Sequence, residues 1–320
     1  MEFVLKIEWT KMNNFIAKFS VFLVMTLSCS LATAIEHHSN SDSEKEVARL
    51  WLEKNQGIPS ELPLLKALLS LHYQPSSTLL PFFNDEPEIR KRRIILSLMI
   101  LQCSDNSQLT YCEGKSLEKE LVKLNPKNLF PYLLQFNHYV AKGEFDSALT
   151  SLRKGLTGTE VNDYYFDKVM YLRRELESIG VFGKGANLLA EDFSGNGLDK
   201  IYIKIMPTCT EHSKTSAEWA TVCLELSNKL ETGTTFLANV VGAALRRDVL
   251  KAISANEEKI NAAVANRKFY STFRENAWVR LPGWVDPALK PDSYYNNAVE
   301  FGEFRAIQIM VEEAGVAPSK

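Results

Sequence analysis

Four cysteines, Cys103, Cys112, Cys209 and Cys223, carry the most definite chemistry in this 320-residue chain. They fall into two sequence-local pairs, and an even count in an exported protein reads as disulfides. Of the three possible connectivities, Cys103–Cys112 and Cys209–Cys223 are favoured, because each closes a short loop with a turn-rich interior. Four free thiols are the alternative. A zinc site made of all four is disfavoured, since neither pair has the spacing of about two to four residues that a zinc knuckle uses.

Two metal sites can be read from short motifs. Asp192-Phe193-Ser194-Gly195-Asn196-Gly197-Leu198-Asp199 places oxygen-bearing residues at alternate positions before glycines, as a calcium loop does. Lys200 and Ile203 stand where further acidic ligands belong, and an ordinary helix-to-strand turn explains the same residues. If the chain is cleaved after Ala34, the new terminus Ile35-Glu36-His37 offers an amine, two amides and an imidazole to square-planar Cu(II). His37 and His38 also suit a flexible polar leader, so no cofactor or metal is assigned. No serine sits in a Gly-x-Ser-x-Gly elbow, and Gly183-Lys184-Gly185 lacks the spacing of a phosphate loop. Glu175 and Glu177 lie two apart on an expected helix and read as a solvated face. Trp278, Trp284, Tyr294 and Tyr295 read either as the lining of a sugar or peptide site or as a packed C-terminal lid.

The N-terminus sets the expected compartment. Lys11 and Lys18 precede an apolar run from Phe19 to about Ala32, which ends in the small-residue site Ala32-Thr33-Ala34. That run is shorter than the roughly 20 residues of a membrane span, so residues 1–34 read as a cleaved signal peptide, with Met12 an alternative start. A lipoprotein reading through Cys29 meets Thr26 where an aliphatic residue belongs. The remaining chain carries 34 basic and 37 acidic residues and no second apolar run of that length. Near-neutral charge gives no electrostatic reason to expect nucleic acid or anionic membrane as a partner.

The elements that must position these residues are helices. After a leader at 35–43, apolar periodicity predicts helices near 44–56, 60–73, 87–103, 128–141 and 144–156, then 163–178, 215–231, 234–253, 255–275 and 292–313. Between them, 181–212 reads as an irregular connection. Ile201, Ile203 and Ile205 alternate with Tyr202 and Lys204, predicting one short strand at 201–205.

Within 128–156, Gly143-Glu144-Phe145-Asp146-Ser147-Ala148-Leu149 resembles the signature of one tetratricopeptide repeat, with Tyr139 as the first-helix aromatic and Asn125-Pro126 ahead of it. Phe136, Gly155 and Glu160 depart from the family pattern, and no second copy appears at the 34-residue period. The resemblance implies a helical hairpin with a partner groove along its first helix, at Phe130, Leu133, Asn137, Val140 and Ala141. Those positions lack the basic set that grips a terminal carboxylate, so the implied groove is either apolar or filled by a neighbouring helix.

The expectation is an exported all-α protein of helical hairpins, in a solenoid or bundle, with a hairpin region at 44–180 and a C-terminal helical region at 213–320. Its expected role is a binding or scaffolding module for protein partners; the alternative is a secreted or periplasmic hydrolase acting on envelope polymers.

Overall fold

The computed structural model describes residues 79–105, 112, 116–195, 198–281 and 290–315. All of these belong to the unit Ile58–Lys320. The signal and leader, the copper motif, and the helices expected at 44–56 and 60–73 lie outside the described residues.

The fold is all-α. In chain order the helices are α1 Leu80–Asp85, α2 Ile89–Asp105, α3 Leu117–Leu124, α4 Leu129–Ala141, α5 Phe145–Leu156, α6 Tyr165–Ser178, α7 Lys184–Gly195, α8 Leu198–Ile203, α9 Ile205–Ser213, α10 Ala217–Leu230, α11 Phe236–Ala252, α12 Glu257–Arg280, α13 Asp292–Phe301 and α14 Glu303–Glu313. Side-chain caps fix several starts. Asn128 accepts from the Phe130 amide at 3.2 Å, Ser216 from Trp219 at 3.3 Å and Asn256 from Lys259 at 3.0 Å, each satisfying a first-turn donor that the helix itself leaves unpaired.

Sequence neighbours pack pairwise: α4 on α5, α6 on α7, α10 on α11, α11 on α12 and α13 on α14. Longer-range packing joins α2 to α6, α5 to α10, α6 to α13 and α9 to α11. The α4–α5 hairpin turns over three residues, with Gly143 at φ 74°. At its crossing, a Cβ on Gly155 would lie 2.8 Å from both Tyr132 Cβ and Leu129 Cδ1. The glycine therefore sets how closely the two helices approach.

Three expectations are corrected. Residues 201–203 end α8 and Ile205 opens α9, with Lys204 the turn between them; Ile201 and Ile205 are four apart and wholly buried while Ile203 is 66% exposed. Their alternation is an accident of three isoleucines on a 3.6-residue period. Among the described residues the only β pairing is an isolated parallel bridge between Asn128 and Glu160. The passage expected to be irregular carries the three helices α7, α8 and α9. Finally, the single helix expected at 292–313 is broken at Gly302, whose φ of 85° no helix accommodates.

Candidate functional site

The cysteines stand as paired in the favoured connectivity: Cys103 and Cys112 at an S–S distance of 1.99 Å, Cys209 and Cys223 at 2.02 Å. The first pair ties the end of α2 to the approach to α3; the second ties α9 to α10. The positions implied by the repeat resemblance do not line a common open groove. Phe130 and Leu133 are 2% and 1% exposed, and Asn137 donates to the Ile201 carbonyl at 2.8 Å, with α8 packed on α4. Val140 is half-buried and Ala141 exposed. The calcium reading fails on backbone grounds, since residues 192–195 lie within α7 and cannot wrap an ion as a loop. Tyr294 and Tyr295 are core, at 1% and 0% exposure, and Trp284 lies outside the described residues. Glu175 is not on a solvated face: it is 4% exposed and pairs with Lys91 at 3.3 Å. Among the described residues no group of three metal-ligating side chains converges.

Three polar assemblies remain as candidates. The first is enclosed. Asp163 caps α6 by accepting from the Tyr165 amide at 3.1 Å, and its other oxygen accepts from Thr235 Oγ1 at 2.7 Å. Thr235 in turn caps α11 through the Ala238 amide. Lys168, 2% exposed, donates to the Ser194 carbonyl of α7 at 2.7 Å, and Tyr202 of α8 hydrogen-bonds Asp163. Burial drives the pKa values. It pushes Asp163 up despite the bonds from Thr235 and Tyr165, lowers Lys168 to about 8 against the pull of Asp163, and raises Tyr202 well above its usual value. Perturbed groups of this kind also mark catalytic sites. Here, however, Asp163, Lys168, Tyr202 and Thr235 are all at most 4% exposed, so the knot joins α6, α7, α8 and α11 without presenting a face to a ligand.

The second assembly lies along an open groove of about 890 Å³ between α10, α11 and α12. Leu224, Leu250 and Ala263 give it an apolar floor, and Phe269, 50% exposed, stands at one side. Arg246 and Lys259 also line it, and no carboxylate does. Behind Arg246 sits Glu231, the C-cap of α10, which pairs with the guanidinium at 2.9 Å and accepts from Asn266 of α12. Burial raises the Glu231 pKa against the opposing pull of Arg246 and Asn266. Arg246 Nε is buried with no hydrogen-bond partner, and Lys259 is exposed. This groove is able to hold an apolar side chain and present cationic groups to a carboxylate beside it.

The third is a smaller cleft of about 310 Å³ between α3 and α4, where His138 Nδ1 meets Glu118 Oε1 at 3.3 Å. The remaining described histidine, His212, lies stacked on Trp219 with ring centroids 4.7 Å apart and against Phe145 at 4.4 Å, beside the Cys209–Cys223 pair.

No protein-family model, no curated protein and no solved structure matches the chain. The sites therefore rest on their own geometry. None of the three assemblies was singled out from the sequence, because each joins residues whose spacing matches no motif. The one available signal was a charge on an apolar stripe: Lys168 and Glu175 fall in helical register with Leu172 on α6.

Proposed function

We propose that this is an exported helical module that binds other proteins, with the α10–α12 groove as its docking surface. The observation that carries the reading is the groove's composition: an apolar floor, a half-exposed aromatic and two cationic side chains, with no carboxylate in the lining. Such a surface suits a partner segment that offers an apolar side chain to Leu224, Leu250 and Phe269 and carboxylates to Arg246 and Lys259. Export is supported by the signal-like sequence at residues 1–34 and by two cysteine pairs at bonding distance. Among the described residues no helix is long and apolar enough to cross a membrane.

A hydrolase of envelope polymers would ordinarily bring two carboxylates together. The groove lining contains none and the α3–α4 cleft contains Glu118 alone, which favours binding over that chemistry.

The test places a photo-activated cross-linking side chain at Ala262, on the groove, in the full chain carrying its own N-terminus. A discrete adduct from an envelope fraction that disappears in Phe269→Asp and in Lys259→Glu supports the reading. An adduct indifferent to both substitutions, or turnover of a wall polymer without any adduct, overturns it.

A further inference from the structure

The two disulfides sit in opposite surroundings. Cys209 and Cys223 are wholly buried, each within a helix, and His212 and Trp219 stack beside them with Phe145 against His212. A thiolate approaching either sulfur has to displace packed side chains, and a negative charge formed there loses its water. Cys103 and Cys112 are only half-buried, so this pair lies within reach of a reagent in solution.

The two sulfurs of the accessible pair also differ from each other. Cys103 lies in the last turn of α2, where the carbonyl ends of the helix carry partial negative charge and disfavour a second one. Cys112 lines the α3–α4 cleft together with Lys119, His138 and Lys142. Glu118 is the single carboxylate in that lining, and it is shared with His138 at 3.3 Å, so two ammonium groups outweigh it. A negative sulfur is therefore better tolerated at Cys112 than at Cys103. A partly exposed sulfur in cationic surroundings is the setting in which thiol–disulfide exchange runs fast.

From these two asymmetries we propose that Cys103–Cys112 is an exchange-active disulfide, opened by a dithiol that attacks Cys103 Sγ while Cys112 Sγ leaves as the thiolate, and that Cys209–Cys223 holds under the same conditions. In the first step the thiolate of the dithiol forms a mixed disulfide with Cys103 as the bond to Cys112 breaks, and the electron pair of that bond stays on Cys112. The second thiol of the reagent then loses its proton, attacks the reagent's own sulfur in the mixed disulfide and releases Cys103. The dithiol ends oxidised to a disulfide, and the two cysteines together have gained two electrons and taken up two protons. Exchange frees the end of α2 from the approach to α3 and leaves α9 tied to α10. This site is separate from the α10–α12 groove and does not depend on it.

Timed treatment of the full chain with dithiothreitol at neutral pH, followed by acid quenching, alkylation and peptide mass spectrometry, tests this. Cys103 and Cys112 are expected to become labelled at least about tenfold faster than Cys209 and Cys223. The single variants Cys103→Ser and Cys112→Ser read the direction of attack. The freed Cys112 reacts with iodoacetamide faster than the freed Cys103, and its lead shrinks at high salt and in the Lys119→Ala/Lys142→Ala background, as a rate raised by neighbouring cations must. Labelling of the two pairs at equal rates, or of Cys209 and Cys223 first, would overturn the assignment. So would a freed Cys103 at least as reactive as Cys112, or a lead indifferent to both salt and the lysines. Should either single variant fold poorly by circular dichroism, the timed reduction of the unaltered chain decides alone.

Discussion

The enclosed knot around Asp163 and the network behind the α10–α12 groove are built from similar parts: a carboxylate, a cation, an amide or hydroxyl, and two helix ends. In the knot, Asp163 caps α6, Thr235 caps α11, and Lys168 reaches a carbonyl of α7. Every strong group is met inside the protein. Around Glu231, the same kind of carboxylate is held by Arg246 and Asn266, but this network borders an open groove, where Lys259 stands exposed at the rim. A polar network closed on itself specifies architecture; one with capacity left over at an open edge is available to a partner.

That contrast can be broken at its closed end first. Asp163→Ala removes the acceptor of the Tyr165 amide and of the Thr235 hydroxyl and leaves Lys168 buried without its counter-charge, and is expected to cost about 3–5 kcal/mol in urea unfolding. A loss below about 1 kcal/mol would mean the knot is wetter than its burial implies. Next comes the crossing behind the groove. A Cβ on Gly242 would meet the Ser227 carbonyl and the Glu231 amide nitrogen at 2.7 Å, so Gly242→Ala is expected to destabilise by about 1–2 kcal/mol after the gain in helix propensity.

The third effect is a pH dependence. Lys168 is depressed to about 8 from 10.5, so between those values the unfolded chain binds more protons than the native one and stability rises with pH. Relative to Lys168→Met, the native protein should gain about 1.5 kcal/mol from pH 8 to 9.5, as read by chemical denaturation. The smallest effect sharpens the other side of the comparison. Lys259→Glu, at an exposed position, should change stability by less than about 0.5 kcal/mol while abolishing partner cross-linking at Ala262.

The parts of the fold that were legible in the sequence are those governed by neighbours along the chain. The α4–α5 hairpin shows as two apolar stripes separated by Gly143, with Ala148 wholly buried at the crossing. The two cysteine pairs follow from their short loops. Gly155 looks like a departure from the repeat pattern, and the structure supplies the reason, because no side chain fits against Tyr132 there. What was hidden depends on the third dimension. Ile201, Ile203 and Ile205 mimic a strand until the burial of 201 and 205 alone is seen. Glu118 and His138 stand 20 residues apart, on α3 and α4. Arg246 meets Glu231 and Asn266 across three helices, and only packing decides that distant polar residues share one site.

The bond between Cys209 and Cys223 closes a loop 14 residues long. A constraint of that length restricts the unfolded chain by about 3 kcal/mol, a sizeable share of a domain's stability. Under reducing conditions the chain lacks this constraint and its unfolded state is looser; oxidation draws α9 and α10 together beside His212 and Trp219. The ambient redox poise is therefore one of the quantities that sets how rigidly α9 and α10 are held.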